Sequence, residues 1–346
     1  MKKLVMLLFL LFAMAVPAYA EDYTVPEPPD EAQGLLPEDR DSFAEGLWYV
    51  IRSAFDLVEP DLAQCGRVAL SVFGISMLLG FLQNQEGAGK DMVRLAGVVA
   101  VGLVLLQPVG AQIASASQTV SQLSEYGKLL LPVLTAALAA QGGAATSAAL
   151  YGATIAFDAV LSGLIRVILM PMVYIYLLLG LMYAAVGEGM LKRLRDLLKS
   201  LMTWSLKTLL YVFTAYLSLT GVVSGTADQA ALKAAKMTIS GMVPVVGSIL
   251  SDASEAVLVS AGVIKNGVGI AGMLAVVAIV IVPFLKLGLQ YLTLKLAGAM
   301  CKLFPDGTIS ALVEDFSGGM GFLLGMTGAM SLMLLISLMC FLKGMG

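Results

Sequence analysis

The chain has 346 residues, of which 59% are hydrophobic and 13% charged, about half the ~25% charged share of ordinary soluble domains. That deficit excludes a soluble globular fold, and a formal net charge of −3, with Lys+Arg 21 against Asp+Glu 24, leaves no basic domain to grip nucleic acid. No histidine is present, which removes the commonest metal ligand and the usual general base near neutral pH.

Gly-rich apolar runs of about 20 residues, without strand-like alternation, predict an all-α polytopic membrane protein. Cys65, Cys301 and Cys340 form no C-x-x-C pair, so neither a disulfide framework nor a zinc site is signalled. No phosphate-cradling loop, nucleophile–histidine pair or protease-like aspartate pair occurs. The expectation is a protein without catalytic residues, cofactor or metal.

Residues 1–20 read as a cleaved signal peptide. Lys2 and Lys3 precede the apolar run Leu4–Val16, and Ala18-Tyr19-Ala20 gives the small-x-small cleavage pattern. Residues 21–61 form an acidic extracytoplasmic segment. Through residue 64, twelve acidic side chains face only Arg40 and Arg52. Pro26, Pro28, Pro29 and Pro37 make its first part a spacer. Ser42 and Glu45 then form a capping box, and Phe43, Leu47, Ile51, Ala54 and Val58 recur at helical spacing. The spacing predicts an amphipathic helix over 42–59 that stops before Pro60, suited to docking or to lying on the bilayer.

Within a membrane domain over 62–342, six spans are expected near 62–82, 93–113, 160–187, 202–224, 264–288 and 317–342. Two shorter pairs, 129–140 with 144–157 and 239–250 with 253–264, are interrupted by Gln141-Gly142-Gly143 and Ser251-Asp252-Ala253-Ser254. A piece of about 12 residues is roughly 18 Å long as a helix, against a hydrocarbon core of roughly 30 Å. Two re-entrant hairpins are therefore predicted.

Basic clusters orient the spans. Lys90 with Arg94, then Lys192, Arg193, Arg195 and Lys199, then Lys286, Lys295 and Lys302 fall on the cytoplasmic side, while Lys128, Lys233 and Lys236 are exceptions. Met190–Leu201 places Leu191, Leu194, Leu198 and Leu201 on one face. Lys192, Arg193, Arg195 and Lys199 fall on another. This is a basic interfacial helix over 189–201, attracted to anionic lipids or to a partner.

A possible parallel duplication relates a unit at about 93–187 to one at about 202–300. Pro132 pairs with Pro244 and Pro171 with Pro283 at one constant offset, and Val133 matches Val245, Leu138 Leu250 and Ala159 Ala271. Because proline removes a helical hydrogen bond, Pro132, Pro171, Pro244 and Pro283 are candidate hinges.

Charged residues in lipid are costly and mark candidate sites. Here they are Asp158 and Arg166 in the first unit, and Asp252, Glu255, Lys265 and Asn266 in the second. Asp158 and Arg166, two turns apart, would pair across a cavity. A pore lining and a structural ion pair both fit these residues. Gly321 and Gly325, with Gly318 and Gly328 nearby, let two backbones approach closely in the final helix 317–342, within the chain or between copies.

Between Gly221 and Leu274 the string GTADQAALKAAKMTISGMVPVVGSILSDASEAVLVSAGVIKNGVGIAGML resembles the core of the stage III sporulation protein AE family. The basic stretch LKRLRDLLKSLMTWSLKTLL and the final apolar helix extend the likeness over roughly 40–342. The resemblance implies a multipass component of a secretion-like channel complex in the mother-cell membrane surrounding the forespore. Its partners would be other proteins of the stage III sporulation operon and a forespore-made protein across the intermembrane space. It supplies no catalytic residues. A permease moving a small solute, and a pure assembly scaffold, are the alternatives.

Overall fold

Long apolar runs with few helix breakers fold here into helices much longer than the spans read from hydropathy. The computed structural model describes residues 25–37, 43–83, 90–140, 144–219, 267–304 and 307–344. The short α1 (Asp30–Gln33) precedes α2 (Phe43–Gln83), α3 (Lys90–Ala140) and α4 (Ala144–Gly163). A π-helical turn (Leu164–Leu169) joins α4 to α5 (Met170–Val186), followed by α6 (Gly189–Leu219), α7 (Gly267–Cys301) and α8 (Gly307–Gly344). No strand occurs among the described residues, and five helices there are long and apolar enough to cross a membrane.

The centre of the bundle is α8. From Gly321 to Phe341 every residue is buried, as expected of a helix apolar on all faces. It packs on α7, α3, α5, α4 and α6, so the small residues of its sequence serve packing within the chain. Around it, α2 lies on α7 and α3 on α2.

Two expectations are corrected. The helix predicted to end before Pro60 runs on to Gln83, with Pro60 inside it. Val50, Ala54, Val58, Cys65, Val72 and Leu79 form one buried stripe on both sides of the proline. Pro60 itself is exposed, so water can satisfy the carbonyl it frees. Packing on α7 outweighs the local break.

The first predicted hairpin is also replaced. Residues 129–140 are the last part of the 51-residue α3, with Pro108 and Pro132 both inside it. Residues 144–157 open the continuous stretch that reaches Val186. Neither is a separate short piece, and the predicted break between them, Gln141-Gly142-Gly143, lies outside the described residues. Of the span expected at 202–224, residues 202–219 form the second half of the amphipathic α6, and residues 220–224 lie outside the described residues. The signal peptide, the second hairpin and the predicted sites Pro244, Asp252, Glu255, Lys265 and Asn266 lie outside the described residues.

Pro171 follows the π turn, in which the Met170 N–H donates to the Ile165 carbonyl. The wider turn takes up the missing proline donor without ending the helix. Pro283, its counterpart in the duplication, lies inside an α-helix, so the matched prolines do not share local geometry.

Lys90 with Arg94, the Lys192–Lys199 cluster and Lys302 fall at helix ends, whereas Lys286 lies inside α7 and pairs with Asp61 of α2. Arg94 at the start of α3, Gly187 after α5 and Gly307 at the start of α8 line one cavity, which puts these three turns at one end of the bundle. There α6 begins and α7 finishes, so the chain passes from this end to the other between Gly189 and Gly267. Much of that passage is α6 itself, which brings Phe213 edge-on to Phe157 of α4 at 5.2 Å.

Candidate functional site

The polar residues that converge do so at this basic end, around Asp315 on α8. Arg195 Nη1 donates to Asp315 Oδ2 at 2.7 Å, and the Tyr176 hydroxyl donates to Oδ1 at 3.2 Å. Arg195 also donates through Nε and Nη2 to Asp196 Oδ1, at 3.1 and 2.9 Å. Its guanidinium lies 5.3 Å from the centre of the Tyr183 ring. The Arg195 and Asp315 side chains are only 11% and 13% exposed. Burial works against the charge on Arg195, but the carboxylates of Asp315 and Asp196 outweigh it and hold its pKa above the ordinary arginine value.

Glycines make this geometry possible. A Cβ on Gly180 would stand 2.9 Å from Asp315 Oδ2, and one on Gly318 2.9 Å from the Tyr176 hydroxyl. One on Gly319 would meet Leu177 at 2.8 Å. The close crossing of α5 and α8 therefore sets Tyr176 against Asp315, and α6 closes over both through Arg195. A cavity of about 360 Å³ opens beside them, lined by Arg94, Tyr183, Thr308, Asp315 and a wall of small residues.

Among the predicted basic residues, Lys192, Arg193 and Lys199 are exposed. Arg195 is not on their face. The buried side of α6 is Met202, Leu206, Leu210 and Phe213, and continuing that register toward the N-terminus reaches Leu198 and Arg195. Leu194 and Leu201, on the apolar face of the predicted interfacial helix, are exposed.

The predicted pair Asp158 and Arg166 does not form. Asp158 is buried and accepts from Ser124 Oγ at 2.6 Å, and its Oδ1 has no partner among the described residues. Arg166 is exposed. Eight residues at 100° each leave two side chains about 80° apart on an α-helix, and the π turn adds a further register shift. Pro132 and Pro171 are exposed on their helices and Pro283 is partly buried.

Sequence reasoning missed Asp315, Tyr176 and Tyr183. Its final span began at residue 317, just past the carboxylate. The available signal was a lone Asp315 two residues before Gly318-Gly319, together with Gly180 in the helix that meets them. Among the described residues no group of three or more Cys, Asp or Glu is placed to hold a metal.

A bundle of long apolar helices around a buried central helix, with its cationic turns gathered at one end, defines a polytopic α-helical membrane protein. No solved structure matches the chain. The sequence profile described as stage III sporulation protein AE matches residues 41–344, so the chain belongs to that family, and membership implies a role in sporulation. It is similar to "Stage III sporulation protein AE" of Bacillus subtilis (strain 168), at 25% identity over 328 residues. That alignment covers 89% of this chain and 81% of the relative.

Proposed function

We infer that the chain is a non-enzymatic multipass component of a secretion-like channel complex joining mother cell and forespore, seated in the mother-cell membrane that surrounds the forespore. The observation that carries this reading is the family match, which spans α2 to α8 rather than one segment. Its partners are other proteins of the stage III sporulation operon and a forespore-made protein across the intermembrane space. In this reading residues 1–20 are a removable leader and the acidic segment 21–61 lies outside the cytoplasm. The turns bearing Arg94, Lys192, Arg193 and Lys302 then face the mother-cell cytoplasm.

The distribution of exposed side chains supports such a role. Measured from the basic end, lipid-type residues cover the first part of each helix: Leu70 to Leu82 on α2, Met92 to Leu106 on α3 and Val167 to Val186 on α5. These stretches are about 20–30 Å long, close to one hydrocarbon thickness. Beyond them α2 exposes Glu45, Arg52, Asp56 and Glu59 among Trp48, Tyr49, Phe55, Leu57 and Leu62, and α3 exposes Gln118, Glu125 and Lys128 beside Leu129. At 1.5 Å per residue α3 is ~77 Å long, more than twice the bilayer core. The far half of the bundle therefore stands outside the membrane as a rigid projection, suited to reaching a partner across a gap.

Deleting the gene in its sporulating host is expected to block spore formation and late forespore gene expression, and the full chain is expected to restore both. Affinity capture from sporulating cells in mild detergent is expected to recover the operon's other membrane proteins. Normal spores from the deletion strain would remove the reading. A solute permease has less to motivate it where the pieces flanking the first break belong to long helices. A pure scaffold differs from a conduit in one test: neutral isosteres at Asp158, Arg166, Asp252 and Glu255 would leave sporulation intact.

A further inference from the structure

Past the lipid-facing belt, α2 carries an apolar edge that no described element covers. Trp48, Phe55 and Leu62 are 67%, 58% and 54% exposed, and their seven-residue spacing stacks them along one edge of the helix, about 10 Å apart. Glu45, Asp56 and Glu59 are exposed beside them, within about 120° of arc at 100° per residue. None of these three acids meets a cation among the described residues. In the far half α3 and α4 expose chiefly alanine, glycine and polar side chains, with Leu129 and Val160 as lone large apolar exceptions. At 1.5 Å per residue, Leu62 and Trp48 lie about 12 and 33 Å beyond Leu70, where the belt on α2 ends, so acyl chains do not reach the stripe. A row of large apolar side chains left in water marks a contact surface.

Spacing and charge together say what covers it. Apolar knobs seven residues apart suit the side of a second helix, and the acidic row calls for lysine or arginine next to that helix's apolar face. A second copy meeting this one face to face, about an axis along the bilayer normal, would set Glu59 against Glu59. Residues 21–42 are acidic, with Arg40 as their single cation. Residues 220–266 carry Lys233, Lys236 and Lys265 against Asp228, Asp252 and Glu255, so they bring no net positive charge. We propose that this edge of α2 docks a helix of a different protein, apolar on the facing side and bearing Lys or Arg opposite Glu45, Asp56 and Glu59. The proposal deepens the reading above and rests on its placing of the far half outside the bilayer.

In sporulating cells, photoreactive p-benzoylphenylalanine replaces Phe55 in the full-length protein, and the peptide joined on irradiation is sequenced by mass spectrometry. The expected adduct is a peptide of another protein with Lys or Arg within two helical turns of the joined residue. Its yield should fall about tenfold when Asp56→Lys and Glu59→Lys are combined, because like charges then face each other. Reversing the partner's basic residues to glutamate should restore it. Thermal unfolding in detergent checks that the reversed variant keeps its fold; if it does not, Asp56→Asn with Glu59→Gln makes the same test with a smaller loss. Joining to a second copy, to residues 220–266 of the same chain or to phospholipid overturns the proposal. So does an adduct unmoved by the charge changes, or no adduct at all. The sporulation reading stands apart from these outcomes, because it is decided by the spores of the deletion strain.

Discussion

Asp315 shows how one carboxylate survives in an apolar bundle. A buried charge is costly unless it is paired and hydrogen-bonded, and this one receives a guanidinium from α6 and a hydroxyl from α5. Removing one partner while leaving the other is worse than removing both. Arg195→Met is therefore expected to destabilise the protein by about 2–3 kcal/mol. The double variant Arg195→Met with Asp315→Leu should recover part of that loss. Thermal unfolding in detergent measures both, and additive losses would show that the two groups are not coupled. Gly318→Ala tests the neighbouring contact. Its methyl group must displace the Tyr176 hydroxyl, so a loss of about 1 kcal/mol is expected from the broken bond to Asp315, and Tyr176→Phe should abolish the further effect of the alanine.

At the scale of single helices, α2 and α3 pass through prolines that local rules make into stops. In each case an unbroken buried face supplies what the backbone loses: Cys65, Val72 and Leu79 after Pro60, and Leu134 and Leu138 after Pro132. A proline in a helix interior costs up to about 3 kcal/mol relative to alanine. Pro60→Ala should therefore stabilise the protein by about 1–3 kcal/mol in thermal unfolding. A helix that ended at Glu59 would show no gain. On α6 the charge pattern grouped Arg195 with Lys192, Arg193 and Lys199 on one basic face, but its side chain turns inward to Asp315. The register of Met202, Leu206 and Leu210 is set by contact with α5 and α8, and a guanidinium can lie on a packed face once a carboxylate waits there.

For the whole molecule, the question is where the bilayer ends. Single cysteines in place of Gln118 and Glu125, in a background with Cys65, Cys301 and Cys340 changed to serine, are expected to react with a membrane-impermeant maleimide added from outside. A cysteine in place of Leu103 is not. Protection of both upper positions would mean that the entire bundle is embedded and that residues 129–157 lie in lipid after all. Lys286 with Asp61, at 3.1 Å between α7 and α2, sits near the upper edge of the exposed apolar belt. Such a level suits a partly hydrated ion pair, which at this exposure adds little to stability.

Composition and pattern by themselves determined that this is an all-helical membrane protein and which family it belongs to. Both depend on properties summed over many residues: too few charges for a wet surface, and a long string of specific side chains. The passage of the helices through proline and the partner of each buried charge were decided only by tertiary structure. Those outcomes turn on contacts between residues distant in the chain, Arg195 with Asp315 and Gly180 with α8 among them. No local window holds both members of such a pair, so the energy that overrides a proline or fixes a helix face is absent from the segment where it acts.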